Sequence, residues 1–140
     1  MSPLDRDILA ERTMAVERHL ARVADRLPAS ADDFQAATDV SDAVVLHLWQ
    51  ATQTVIDMAT AACLYFKLGA PASYADAFER LRGAGVIDDD LAAHLSAAAG
   101  FRNLVAHAYD ELDMARVYRA ARNGPADLRR FLAALRGRLA

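Results

Sequence analysis

The sequence predicts an all-α fold, an up-and-down bundle of four to five helices with short connections, and three observations predict it. The composition is rich in Ala and Leu and holds only 6 Gly and 4 Pro, which favours helix over sheet. Apolar residues recur at steps of three and four, with no alternating strand pattern and no internal repeat. Cap and breaker residues punctuate these runs. A chain of 140 residues fits a single domain over 1–140 and can bury one core.

The first helix should cover about 4–27, with Leu4, Ile8, Leu9, Val16, Leu20, Val23 and Leu27 at helical spacing and Pro28 as the stop. "PASADDF" connects it to a long second helix, from about Ser41 to Lys67. There Val45, Leu48, Trp49, Thr52, Val55, Ile56, Ala59, Cys63 and Phe66 form one broad stripe. Leu46, Met58, Ala61 and Tyr65 lie off its centre, so this helix must bury two sides, the second against another protomer or a partner. Gln50, Gln53, Asp57 and Thr60 leave a narrow polar strip between them.

"SYADAFERLRGAG" reads as a third helix, opened by a capping box of Ser73 and Asp76 and stopped by Gly83 and Gly85. "IDDDL" starts the fourth, its acids placed where the helix dipole favours them. A fifth begins near Asp113, and "NGP" at 123–125 should break it before a last amphipathic segment with Leu128, Phe131, Leu132 and Leu135.

The net charge of −3 does not suggest a generic nucleic-acid binder. The charge is uneven, however, with seven Arg against one acid, Asp127, from Met114 onward. That is either a solvated helix face or a surface for a polyanion. A lone Cys63 in the apolar run "AACLYF" allows no intrachain disulfide and reads as a buried, inert thiol. The start of the chain lacks the apolar core of a signal peptide, and the run 43–66 is interrupted by His47, Gln50, Gln53 and Asp57. The expectation is a cytoplasmic protein with no membrane span.

The fourth helix carries the unusual residues. Leu91, Leu95, Ala98, Arg102, Val105 and Tyr109 step by four and three and so share a stripe. Arg102 and Tyr109 thus stand where a core helix would place Leu, and a guanidinium buried without a partner is costly. Ser96, Gly100, Asn103 and His107 form a second stripe, polar and small-sided. Arg102 and His107 point ~140° apart on a straight helix, so they converge on one atom only if the helix bends or two copies meet across a twofold axis. An isolated His is ordinarily a structural residue, the reading that applies to His19, His47 and His94. No His pair, Cys pair or carboxylate cluster converges with His107, so neither a metal nor a cofactor is expected. The chemistry on offer is acid–base: His107 to move protons, Arg102 to hold a phosphate, Asn103 to support either, and Tyr109 to stack on a base or accept a modification. Together these suit RNA cleavage by the RNA's own 2′-hydroxyl.

The run from "SYADAF" through "GVID" and "FRN" to "RVY" resembles the HepT family of HEPN-domain toxins. Its Arg-x4-His-x-Tyr hallmark reads here as Arg102, His107 and Tyr109. "VIDMA" resembles a second-helix segment of that family and points to Asp57 as a helper that orients Arg102. The resemblance implies a homodimeric HEPN-like bundle with two motifs facing one cleft, acting on RNA rather than DNA as a metal-independent endoribonuclease toxin of a type VII toxin–antitoxin system. It also implies an MntA-like minimal nucleotidyltransferase antitoxin that transfers AMP to Tyr109. Two other readings use the same residues: a non-catalytic adaptor subunit of a nucleotidyltransferase, and a plain helical dimerisation domain.

Overall fold

Five helices account for most of the computed structural model, which describes residues 4–139 and has no strand among them. They are α1 (Arg6–Arg26), α2 (Asp39–Tyr65), α3 (Tyr74–Gly83), α4 (Asp89–His107) and α5 (Met114–Arg138). Each N-terminus is closed by a side chain accepting an otherwise unpaired backbone N–H: Asp5, Thr38, Ser73, Asp88 and Asp113 in turn. Thr38 and Ser41 form a reciprocal capping box, so α2 starts at Asp39, before the expected Ser41. Ser73 completes only half of the expected box. Its hydroxyl accepts from Asp76 N–H at 3.0 Å, but the Asp76 carboxylate turns to Ala72 N–H and the Arg80 guanidinium.

The anticipated break at "NGP" does not occur, and α5 runs unbroken with Pro125 inside it. Proline in a helix interior costs ~3 kcal/mol. Val117 and Ala121 before it and Leu128, Phe131, Leu132 and Leu135 after it are all buried, in phase on one face. Each of the Val, Leu and Phe side chains contributes about 1.5–3 kcal/mol on burial, so keeping the stripe continuous outweighs the proline.

The core falls into two clusters at opposite ends of the bundle. The larger joins α1, α2, α3, the first half of α4 and the second half of α5, with Phe78 and Phe131 edge to face at 5.8 Å. The smaller gathers Val23, Phe34, Val44, Val45, Leu48, Phe101, Val105, Val117, Tyr118 and Ala121. Tyr118 locks this end by donating to the Pro28 carbonyl at 2.8 Å. Helix α2 spans both clusters, and α4 passes from the larger to the smaller. The expected two-sidedness of α2 divides along its length: Met58 is buried within the chain, while Leu46, Leu64 and Tyr65 remain exposed. Cys63 is buried and free, and burial pushes its thiol up. Among the described residues no helix is long and apolar enough to cross a membrane.

Candidate active site

Helix α4 changes neighbours in its fourth turn, without a break in the helix. Leu91, Ala92, Leu95 and Ala99 bury into the larger cluster, whereas Phe101 and Val105 bury into the smaller one. Arg102 sits between the two sets and is half-buried. The partner that a buried guanidinium requires comes from α2. Arg102 Nε donates to Gln53 Oε1, and Gln53 Nε2 in turn donates to Asp57 Oδ1 at 2.9 Å. The guanidinium carbon lies 5.5 Å from the Trp49 ring centroid and 5.2 Å from that of Tyr74, within cation–π range of both. Its Nη1 donates to Asn103 Oδ1 at 3.1 Å.

Asp57 therefore reaches Arg102 only through Gln53. Its spacing explains why: Gln53 and Asp57 are one helical turn apart on the polar strip of α2 and pair along the helix. Gln53, Trp49 and Tyr74 escape a motif search, because each lies on another element. The polar strip on an otherwise apolar helix pointed toward Gln53 but not toward Trp49 or Tyr74.

His107 is the last residue of α4 and is exposed, and its ring has no hydrogen bond or ion pair among the described residues. Asn103 and Gly100, on the same stripe, are also exposed. A Cβ added at Gly100 would meet nothing within 4 Å, so the bundle itself does not require glycine there. The structure thus brings Arg102, Asn103, Gln53 and Asp57 together and leaves His107 outside that set.

Tyr109 does not continue the α4 stripe as expected. The helix ends at His107, Ala108 takes φ −144° and ψ 44°, and residues Tyr109–Glu111 form a 3-10 turn. Tertiary contacts hold the chain out of the helix there. Leu112 packs on the smaller cluster, and the Tyr109 hydroxyl donates to Asp42 Oδ1 at 2.6 Å. The residue is 44 % exposed, but its hydroxyl end is turned onto α2. Partial desolvation, then the hydrogen bond and charge of Asp42, push the phenol up to about 12. Asp42 gave no signal in the sequence beyond being an acid in the first turn of a helix.

A concavity of about 480 Å³ lies between α4 and α5 over Leu48 and Thr52 of α2. His94 stands at its edge, its Nδ1 3.1 Å from Asp127 Oδ1, and Arg130 pairs with Asp88, Asp90 and Asp127. The basic C-terminal part thus divides. Arg129 is paired with Glu17, Arg130 with these acids, and Arg138 donates to the Gly85 carbonyl. Arg116 and Arg119, which line the groove, have no such partner among the described residues. His19 and His47 do take a structural place: their Nδ1 atoms are 3.1 Å apart between α1 and α2, and burial lowers both pKa values. Among the described residues no group of three or more His, Cys, Asp or Glu is placed to hold a metal ion.

Known proteins resemble this chain in sequence and in fold. A family model described as ribonuclease HepT-like matches residues 16–135, most of the chain. The mRNA nuclease HepT of Shewanella oneidensis is 25 % identical over 126 residues, 90 % of this chain and 94 % of that protein. A solved structure of a tri-AMPylated Shewanella oneidensis HEPN toxin in complex with its MNT antitoxin superposes with a TM-score of 0.85, at 24 % identity over 94 % of this chain and 98 % of the other. YutE of Bacillus subtilis, a cytosolic protein of unknown function, has the same fold at a TM-score of 0.81 and 20 % identity, over 99 % of this chain and 93 % of that one.

Proposed function

The chain belongs to the ribonuclease HepT-like family, and from that premise we propose that it is the toxin of a toxin–antitoxin pair, an endoribonuclease acting in the cytoplasm on mRNA or tRNA. The observation that carries this reading is the pairing, on one helix, of a pre-positioned guanidinium at Arg102 with an unengaged imidazole at His107.

Arginine has five N–H donors in a planar fork. Gln53 and Asn103 each take one, which leaves the others for a scissile phosphate and the charge that develops on it. Asp57 acts by holding Gln53 in the orientation that accepts from Arg102. His107 supplies acid–base chemistry. A neutral imidazole takes the proton of the RNA 2′-hydroxyl as that oxygen attacks phosphorus. An imidazolium returns a proton to the departing 5′-oxygen, leaving a 2′,3′-cyclic phosphate and a 5′-hydroxyl. The nucleophile is internal to the RNA, so the reaction needs no metal-bound water.

Two copies of the chain complete the site. Arg102 and His107 point ~140° apart on one helix, so a twofold axis is the economical way to bring an arginine and two imidazoles to one phosphate. The open stripe of Gly100, Asn103 and His107, and the exposed Leu46 and Leu64 of α2, support such a homodimer. Arg116 and Arg119 suit the RNA backbone beyond the cleaved bond.

The partner is an MntA-like nucleotidyltransferase antitoxin, which neutralises the toxin by transferring AMP to Tyr109. The added phosphate sets bulk and negative charge two residues from His107, where it competes with RNA for the cleft. The test begins with protein shown by intact mass to be unmodified. That protein is incubated with total RNA and with tRNA in EDTA, beside His107→Ala. Cleavage by the wild-type protein alone is expected. Equal cleavage by both would remove His107 from the mechanism, and no cleavage by either would favour the adaptor reading.

A further inference from the structure

The modification just proposed raises a chemical question that the turn after α4 answers. A phenol that attacks phosphorus must lose its proton, and an ordinary tyrosine is almost wholly protonated near neutral pH. Tyr109 is held further toward the protonated form than usual, up to about 12. Transfer to it at neutral pH therefore calls for a base within reach of the hydroxyl.

Such a base is present. The Tyr109 hydroxyl donates to Asp42 Oδ1 at 2.6 Å, inside the range in which a general base works. Asp42 stands in the first turn of α2, where the Thr38–Ser41 capping box fixes the backbone. Both groups line a cavity of about 300 Å³ whose other walls include Ser41, Val45, Asp110, Leu112 and Met114. A phosphorus atom can thus approach the hydroxyl from the cavity side.

We propose that Asp42 is the general base for nucleotidyl transfer to Tyr109, so that the acceptor protein itself carries a catalytic residue for its own modification. This rests on the reading of Tyr109 as the modified position. In the step, the Tyr109 Oη–Pα bond forms as the Pα–O bond to the β-phosphate of ATP breaks. Pyrophosphate leaves with that bond's electron pair, and the phenolic proton passes to Oδ1 of Asp42.

The experiment follows AMP incorporation by intact mass, with the MNT-type nucleotidyltransferase, Mg–ATP and wild-type, Asp42→Asn, Asp42→Glu or Tyr109→Phe protein. General-base removal costs about 10²–10⁴-fold in rate. Asp42→Asn is therefore expected to lower kcat by at least about a hundredfold with little change in KM for the acceptor, and Asp42→Glu to recover part of it. Replacing the carboxylate also removes the Asp42 share of the upward shift, while burial and the charge of Asp110 remain. The Asp42→Asn rate should therefore climb with pH from 7 to 9, while the wild-type rate stays flat. Wild-type kcat in Asp42→Asn would overturn the proposal, as would a loss confined to KM, which would make Asp42 a docking contact. Tyr109→Phe separates the two readings. If wild-type protein is modified and Tyr109→Phe is modified equally, or if neither is modified, the assignment of Tyr109 fails and this proposal falls with it.

Discussion

Arg102 and His107 lie five residues apart on one helix, yet the chain treats them in opposite ways. The guanidinium is hydrogen-bonded to Gln53 and Asn103 and flanked by two aromatic rings, whereas the imidazole stands exposed at the helix end with no partner among the described residues. The difference has a physical origin. An arginine leaving a packed helix face must be compensated where it crosses the core boundary, and its rigid fork then serves a phosphate with little further ordering cost. A histidine that moves protons needs a ring nitrogen within reach of its substrate, and an imidazole exposed at the helix end offers one. Under the proposed function, the chain prepares a phosphate site at Arg102 and leaves the proton-transfer group to meet RNA, and a second copy, at the surface.

The largest expected effect separates these roles. His107→Ala should reduce RNA cleavage by about 10²–10⁴-fold. An exposed side chain without contacts changes stability by less than about 0.5 kcal/mol, so the melting temperature should stay within a degree or two. A marked drop in melting temperature would show that His107 is held after all. Arg102→Ala should move both quantities. Loss of a preorganised charge at the reacting phosphate costs ~10²–10³-fold, and loss of the Gln53 hydrogen bond and the aromatic contacts costs about 1–2 kcal/mol. Differential scanning calorimetry beside the RNA assay checks both, and an unchanged melting temperature would put the Arg102 contacts in doubt.

Gln53→Ala probes the link itself. One hydrogen bond to a charged group is worth about 1.5 kcal/mol, so cleavage should fall about tenfold. Asp57→Asn should fall less than Gln53→Ala, because Asp57 reaches Arg102 through Gln53. If Asp57→Asn were the more damaging, Asp57 would act on Arg102 or RNA directly.

The smallest effect concerns the other histidine of α4. His94 is raised above its ordinary 6.5, first by its hydrogen bond to Asp127 and then by the charges of Asp127 and Asp90. The folded state therefore binds the proton more tightly than the unfolded one. The stabilisation is fully present below pH 6.5 and is lost as pH rises through the raised folded value. The melting temperature of wild-type protein minus that of His94→Gln should shrink from pH 5.5 to 8.5, with RNA cleavage per folded molecule unchanged. A difference that stays constant with pH would remove the ion pair as its cause.

The sequence by itself determined the helical class and the approximate span of every helix up to α5, because apolar spacing and caps are local properties that need only a few consecutive residues. It also singled out Arg102, Asn103, His107 and Tyr109, whose polarity breaks an apolar face, and the Asp57 strip of α2. Only the tertiary structure decided that α5 passes through Pro125, since burial on a common face outweighs a local penalty that sequence spacing alone registers. The tertiary structure also decided that α4 stops at His107, that Gln53 stands between Asp57 and Arg102, and that Tyr109 meets Asp42, 67 residues away. These contacts join separate helices, and their partners have no fixed spacing in the chain. They follow only when packing has set which face of α2 meets α3, α4 and the turn beyond.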